Sequence, residues 1–313
     1  MVRAKVIQTL YAYYKNEENT PLTAKKELLK SFDNTYSLYM LLLDFVNEIT
    51  TLYEEREEEE QQRAIVLHEE YHPHRNFINN RFAQQIFNNR QLRGFLKEKG
   101  YSWDVAHEEL KALFRQIIAT DFFQEYQALD APTYADDKQV WRRIFVDVLA
   151  DNDELESALD ELELALDTSG WATDANVVIS YVFKTIKQFK ENSSKDQPLL
   201  DMFNSEDELA FAKELLQKAI AGRDEYIMMI DNHLNNWELS RIAYMDIIIL
   251  QTALAEIIGF PSIALQVSIN EYLELSKEYS TDKSYAFVNG VLNSIIQDLK
   301  DENRLIKAVA LED

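Results

Sequence analysis

Residues 237–262 read WELSRIAYMDIIILQTALAEIIGFPS, and this stretch decides the fold. Its apolar side chains recur every three or four positions, as they do in a helix that faces a core, and Gly259 followed by Pro261 ends the helix. The pattern then predicts two more helices, one over about 263–279 and one after the polar turn 280–284. Three successive helices with short connections predict an all-α fold.

The last of these predicted helices carries a glycine, Gly290, in its interior. A glycine inside a helix costs about 1 kcal/mol relative to alanine. Its presence therefore indicates that another backbone or a ligand approaches this position closely. Ordinary packing between helices is the simpler interpretation.

The composition of the 313-residue chain also favours an all-helical protein, because it contains 6 glycines and 5 prolines and little strict alternation of apolar and polar residues. The length fits one large domain or two. No cysteine is present, which excludes disulfides and thiolate metal sites. No apolar run approaches the roughly 18 residues of a membrane span, and the chain starts without an apolar signal core. We therefore expect a cytoplasmic protein with no membrane segment.

The net charge of −23 argues against nucleic acid as a partner, because phosphates repel an acidic protein. The charge is unevenly distributed, however. Residues 1–16 and 73–97 contain cations and no acid. These cations are Arg3, Lys5 and Lys15 in the first segment and Arg75, Arg81, Arg90, Arg93 and Lys97 in the second. Two basic segments therefore occur in an acidic chain.

The chain contains HEEYH from His68 to His72, which fits HExxH, the helical zinc-protease motif in which two histidines four positions apart hold the metal. Pro73 disfavours helical geometry at the preceding residue, and residues 73–97 offer no Asp, Glu or Cys as a third ligand. Three interpretations stay open. They are a catalytic zinc site, adventitious metal binding that also uses His74, and an exposed helix end.

Four strings in the chain resemble one known family. WELSRIAYMD, SINEYLELSKEY and KSYAFVNGVL are similar to the C-terminal signature of the NusB family of bacterial transcription antitermination factors, and RAKVIQTLYAYY is similar to that family's first helix. The resemblance covers about residues 1–16 and 206–298. It implies an all-α, NusB-like helical bundle core of two small subdomains with a large helical insertion.

We therefore expect four segments along the chain. They are the first helix of the core (1–16), the helical insertion (17–204), the C-terminal part of the core (205–300) and a tail (301–313). Within the insertion, helical patterns cover about 20–72 with a possible break at 33–34, then 103–129 and 136–149, and a further helix follows a cap at Thr173 or Asp174. The segment 205–208 has a capping-box pattern and starts the helix that leads into the second part of the core.

Residues 74–99 are the most informative part of the insertion. Arg90, Arg93 and Lys97 share one helix face, and neighbouring Asn and Gln side chains suit phosphates and base edges. RNA contact by Arg90 and Arg93 is one interpretation. The other is internal pairing of this basic segment with the acidic helix 151–167.

The resemblance implies a binding surface for boxA-type RNA of nascent ribosomal RNA transcripts. It implies that Arg3 and Lys5 face phosphates. It also implies that Lys283, Ser284 and Phe287 line the same surface, where a helix start and an aromatic ring suit RNA. We expect the cations to hold the RNA backbone and the ring to stack on a base.

The partner that the resemblance implies is NusE, a small-subunit ribosomal protein that also acts in transcription. Asp246, with Ile242 nearby, stands where the family has an acidic residue that faces this basic partner. On the third predicted helix, Asn289 either touches RNA or satisfies a buried backbone group. Both interpretations of Asn289 stay open.

The leading hypothesis is a transcription antitermination factor that binds RNA and NusE within the RNA polymerase antitermination complex, with no catalysis, metal or cofactor. The first alternative is a protein-interaction scaffold that has the fold without RNA binding, as the net charge of −23 permits. The second is a metal-dependent hydrolase that uses His68 and His72. Salt dependence of RNA binding separates the first two, and a metal analysis tests the third.

Overall fold

The chain forms two compact units in the structure, a computed structural model. The first unit comprises Met1–Lys30 and Phe203–Asp313, and the second comprises Ser31–Met202. Residues 17–30, which the sequence analysis assigns to the insertion, thus group with the first unit. The structure describes residues 1–16, 18–203, 205–234, 238–281 and 283–305. Trp237, which opens the deciding stretch, and residues 306–313 of the expected tail lie outside them.

The described residues form fourteen α-helices and no strand, which confirms the all-α prediction. In chain order the helices are α1 (Val2–Lys15), α2 (Pro21–Leu67), α3 (Arg81–Phe87), α4 (Arg90–Lys99), α5 (His107–Ile118), α6 (Asp121–Gln127), α7 (Tyr134–Arg143), α8 (Asp153–Leu166), α9 (Trp171–Gln188), α10 (Glu206–Ala221), α11 (Arg223–Asn232), α12 (Tyr244–Gly259), α13 (Leu265–Tyr279) and α14 (Ser284–Asp301). Short 3₁₀ turns cover Asp104–Ala106 and Leu239–Arg241, and a π-helical stretch covers Ile144–Leu149. Within these ranges no helix is both long and apolar enough for a bilayer crossing.

Helix α12 is the centre of the first unit. It contacts α1, α10, α11, α13 and α14. Every residue from Asp246 to Ile257 is buried, because neighbouring helices cover α12 on all sides. This burial explains the apolar composition of the deciding stretch. The helix begins later than its apolar pattern indicates, since Ile242 is extended and Ala243 is not helical.

The second unit is built on residues 31–67 of α2 and on α3 to α9. One continuous apolar core joins these helices, with Trp103, Trp141 and Trp171 almost fully buried. The possible break of α2 at 33–34 does not occur. The reason is tertiary: the Asn34 side chain donates to the Ser169 carbonyl at 3.0 Å, and the Asn34 carbonyl accepts from the Trp171 indole at 2.8 Å.

Several helix boundaries differ from the sequence prediction. The helix expected over 103–129 is divided at Thr120, whose hydroxyl donates to the Ile117 carbonyl at 2.7 Å and competes with the helical pattern. The helix expected from 136 begins at Tyr134, because Thr133 forms a complete capping box with Asp136. The helix expected after Thr173 or Asp174 begins earlier, at Trp171. Ser205 precedes α10 as expected, but its hydroxyl makes no capping hydrogen bond.

Candidate nucleic-acid interface

Arg3, expected to face phosphates, is engaged by acids of its own unit. Its Nε and Nη2 donate to the two carboxylate oxygens of Glu256 at 2.8 and 2.9 Å, and its Nη1 donates to Glu271 at 3.4 Å. The guanidinium also lies 5.3 Å from the centre of the Phe211 ring. The Arg3 side chain is 19% exposed and the Glu256 side chain 0%. Arg3 therefore forms a largely buried, bidentate ion pair between α1 and α12.

The Glu256 carboxylate receives two further hydrogen bonds from α13. Ser268 Oγ donates at 2.8 Å, and Tyr272 Oη donates at 2.9 Å. Burial, together with the charge of Glu256, raises the pKa of Tyr272 well above its ordinary value, so the hydroxyl keeps its proton and donates. A buried carboxylate is tolerated only when its oxygens are paired in this way. The Arg3–Glu256 pair thus links α1, α12 and α13.

Lys5 is also buried inside the first unit and is not exposed to solvent. The residue is 4% exposed and lies on the buried face of α1, with Val6 and Ile7 fully buried beside it. A side chain buried to this extent is poorly placed to bind a phosphate. The sequence pattern of a basic helix start therefore overstated the positive charge on this surface.

Asp246 and Ser284 meet inside the first unit. Ser284 Oγ donates to Asp246 Oδ2 at 2.9 Å and accepts a hydrogen bond from the Thr281 backbone amide at 3.1 Å. Asp246 is 5% exposed and Ser284 1% exposed. Asp246 Oδ1 is buried and has no hydrogen-bond partner within the described part of the chain. This pair fixes the start of α14 against α12, while the nearby Ile242 is half-buried.

The accessible part of the expected surface lies on α14. Lys283 and Gly290 are exposed and Phe287 is half-buried, and their spacing places them on one face of the helix. Asn289 is half-buried, and its Oδ1 accepts from Asn293 Nδ2 at 2.8 Å on the surface of the same helix. A Cβ atom added at Gly290 would meet no described atom within 4 Å. The close approach expected at Gly290 is therefore not made by the described residues of the protein.

The two halves of the expected RNA surface contact different parts of α12. Ser284 bonds to Asp246 near the start of α12, whereas Arg3 bonds to Glu256, ten residues further along. Ten residues of α-helix span about 15 Å. Arg3 and Ser284 are thus anchored well apart, a separation that the sequence prediction did not include.

A cluster of aromatic rings and cations lies at the end of α1. Lys15 Nζ is 5.6 Å from the centre of the Tyr11 ring and 4.8 Å from that of Tyr244, the first residue of α12. The Arg223 guanidinium lies 3.7 Å from the centre of the Tyr14 ring. Sequence reasoning missed this cluster, although the three tyrosines before Lys15 in an acid-free segment were an available signal. Rings and cations in this arrangement suit stacking on bases and binding of phosphates.

The basic segment of the insertion pairs with acids that the sequence prediction did not choose. Arg81 bonds to Asp137 and to Glu191, each at 2.6 Å, and Arg90 bonds to Asp196 at 2.9 Å. The acidic helix 151–167 corresponds to α8, which contacts α5 and α9 instead. Internal pairing therefore occurs, but with other partners.

The HExxH segment lacks the helical geometry that its chemistry requires. Helix α2 ends at Leu67, and His68 has a left-handed backbone with φ of 56°. Residues 68–72 are not helical, so His68 and His72 do not lie one above the other on a helix face. The His72 side chain is 80% exposed. Among the residues with described positions, no group of three or more His, Cys, Asp or Glu is arranged to hold a metal ion.

Comparison with known proteins extends these observations. The sequence model of the NusB family matches residues 178–297. The chain is 39% identical over 97 residues to the transcription antitermination protein NusB of Salinibacter ruber, covering 31% of this chain and 61% of that protein. It is 40% identical over 93 residues to the NusB protein of Finegoldia magna, covering 30% of this chain and 68% of that protein. It is 39% identical over 101 residues to the NusB protein of Ligilactobacillus salivarius, covering 32% of this chain and 76% of that protein. No solved structure matched the chain.

The family match extends from within α9 into α14 and places the chain in the class of all-α transcription antitermination proteins. The chain belongs to the NusB family, which confirms the resemblance found in its sequence. It spans about three fifths of the Salinibacter relative. Residues 1–177 lie outside the match to the family model.

Proposed function

We propose that the protein is a transcription antitermination factor that binds boxA-type RNA of nascent ribosomal RNA transcripts together with NusE. The observation that carries this proposal is the family match across α10 to α14, the helices that make up most of the first unit. The relatives bear the name transcription antitermination protein. The role is one of binding within the cytoplasmic RNA polymerase antitermination complex, and it involves no catalysis.

The proposed RNA surface combines the exposed face of α14 with the cluster at the end of α1. Lys283 and Lys15 hold phosphates, and the Phe287 and Tyr11 rings stack on unpaired bases, since single-stranded RNA is commonly bound in this way. Asn289 offers an amide to a base edge. Arg3 and Ser284 serve this surface indirectly, by fixing α1 and α14 on α12, whereas Lys5 is buried and is not part of it.

The proposed partner surface adjoins the start of α12. The half-buried Ile242 supplies apolar contact area there. Asp246 is buried beneath this surface, and its negative charge favours a basic protein such as NusE over an acidic one. Two modest contacts become useful when RNA and NusE bind together, because the second binding event is then intramolecular.

Filter binding with boxA-type and scrambled RNA, each with and without NusE, tests this function. The unaltered chain should prefer boxA-type RNA, and Lys283→Glu should reduce the slope of log K against log salt by about 0.7, the contribution of one phosphate contact. Lys300→Glu is the matched control, because Lys300 is exposed at the other end of α14. Equal affinity for the two RNAs under both conditions would refute the proposal.

A protein-interaction scaffold without RNA binding is the second candidate. It is favoured by the net charge of −23 and by the pairing of Arg3 with Glu256 and of Arg90 with Asp196. The two candidates differ in salt dependence. A scaffold gives RNA binding that is negligible or independent of salt, whereas an RNA-binding factor loses affinity steadily as salt rises.

A further inference from the structure

The second unit contains a surface whose charge is opposite to that of the chain. We call it the basic corner, and it consists of residues 75–97 and 190–196. Seven Lys and Arg residues and two acids fall in these segments, a net charge of +5 in a chain of −23. The seven cations are Arg75, Arg81, Arg90, Arg93, Lys97, Lys190 and Lys195. A local positive surface of this size requires an explanation in so acidic a protein.

The fold fixes the two segments of the basic corner against each other. The Arg90 backbone amide donates to the Lys195 carbonyl at 2.9 Å. The Gln85 side-chain amide donates to the Lys190 carbonyl at 2.9 Å, and that of Asn89 donates to the Gln197 carbonyl at 2.8 Å. Between the segments lies a cavity of about 320 Å³ that is lined by both of them. The corner is therefore a preformed concave surface.

Most cations of the basic corner stay available to a ligand. Asp196 is matched by Arg90, and Arg81 is shared between Glu191 and Asp137, an acid outside the two segments. Within the described chain, none of the other five cations forms an ion pair. These five are Arg75, Arg93, Lys97, Lys190 and Lys195, and all are exposed. The corner is thus not neutralised from within.

An aromatic ring lies on the same surface. Phe87, the last residue of α3, is 53% exposed, although most phenylalanines of the second unit are buried. The Arg93 guanidinium lies 5.2 Å from the centre of its ring. Gln84 and Asn88, beside Phe87, line the cavity with amide groups, and the charged side chains that line it are Arg81, Glu191 and Lys195. An exposed ring, cations and amides together match the chemistry of an unpaired nucleotide.

We propose that the basic corner binds single-stranded RNA, with a base stacked on Phe87 and phosphates held by Arg93 and Lys195. The amides of Gln84 and Asn88 contact base edges in the cavity. The exposed ring and the amides favour RNA over an acidic protein segment, which needs only cations. The choice of RNA rests on the proposed function, but the site itself is in the second unit and is independent of the α14 surface.

The test is fluorescence anisotropy of the full chain with a labelled oligouridylate and with boxA-type RNA over a series of salt concentrations. Arg93→Glu/Lys195→Glu should reduce the slope of log K against log salt by about 1.4, the contribution of two phosphate contacts on a single strand. Arg63→Glu/Lys111→Glu makes the same charge change outside the corner and should leave the slope unchanged. Circular dichroism melting verifies that each variant is folded.

Substitution of Phe87 separates stacking from charge. Phe87→Ala should weaken binding about 5- to 150-fold, which corresponds to about 1–3 kcal/mol for one stacked base. Phe87→Tyr keeps the ring and should bind like the unaltered chain. If polyglutamate competes as well as RNA and Phe87→Ala has no effect, the corner is a site for acidic protein and the inference is overturned.

The same assay distinguishes this inference from the proposed function. If Lys283→Glu and Phe287→Ala weaken binding while the corner variants bind normally, the inference is overturned and the proposed function stands. If only the corner variants weaken binding, the inference is supported and the α14 surface is excluded. Weaker RNA binding by both the α14 variants and the basic-corner variants supports two separate RNA contacts.

Discussion

Replacement of Arg3 by methionine tests whether this residue stabilises the fold or binds RNA. The change removes the cation and leaves the Glu256 carboxylate in a site with 0% side-chain exposure. Breaking a buried ion pair from one side costs about 3–5 kcal/mol. Arg3 is 19% exposed, and Glu256 keeps its hydrogen bonds from Ser268 and Tyr272, so we expect a loss of about 3 kcal/mol. For a unit of this size, that loss lowers the melting temperature by about 6–12 °C.

Differential scanning calorimetry measures this shift, and a double-mutant cycle isolates the pair. Arg3→Met/Glu256→Gln removes both charges from the site, keeps an amide that can hydrogen-bond to Ser268 and Tyr272, and should recover much of the stability that Arg3→Met loses, because no unpaired charge stays buried. RNA affinity of the folded Arg3→Met variant at 20 °C should equal that of the unaltered chain. If Arg3→Met leaves the melting temperature unchanged and weakens RNA binding, this reasoning is refuted. Arg3 then contacts a phosphate, as expected from the sequence.

Glu48, Asn80 and Gly290 are the positions of three further predictions. Burial, with added repulsion from Asp44, Asp104 and Glu55, raises the pKa of Glu48 to about 7. Between about pH 4.5 and 7 the folded state therefore holds a proton that the unfolded state releases, so the free energy of unfolding should fall as the pH rises through this range. Urea midpoints measured across the range should show that Glu48→Gln removes this loss. Asn80 is fully buried, caps α3 by accepting from the Ala83 amide and donates to the Asp137 carbonyl. Asn80→Ala should therefore lower the free energy of unfolding in urea by about 2–4 kcal/mol. The matched control is Asn79→Ala at an exposed position, which should lower it by less than about 0.5 kcal/mol. Gly290→Ala should stabilise α14 by about 1 kcal/mol, because the added Cβ meets no described atom. If RNA binds on that face of α14, the same change should weaken RNA binding in the anisotropy assay. Equal RNA affinity would show that Gly290 is not part of the RNA-binding surface.

The fold class was predictable because it depends on local patterns. The apolar periodicity of residues 237–262 and the strings around Phe287 were enough for the helical fold and the family. Boundaries were less predictable, because tertiary contacts decide them. The continuity of α2 through Asn34 depends on a hydrogen bond from Trp171, which lies more than a hundred residues away. The capping box at Thr133 was a local signal, and it was overlooked.

The candidate site was less predictable than the fold, because the partner of a charge is seldom near it in sequence. Arg3 pairs with Glu256, 253 positions further along the chain, and Arg81 pairs with Asp137, 56 positions away. Neither pair produces a spacing pattern by which it could be recognised in the sequence. A segment without acids predicts a positive surface, whereas the fold brings acids to it from elsewhere.

The division between paired and unpaired cations bears on how an acidic protein could hold RNA. Arg3, Arg81 and Arg90 are committed to carboxylates, and a planar guanidinium suits such fixed pairs. Lys283, Lys195 and Arg93 are exposed and form no ion pair among the described residues. Binding that depends on a few such isolated surface cations should be weak at each site and steeply dependent on salt. RNA affinity should therefore require either low salt or a second simultaneous contact, which NusE or the basic corner would supply.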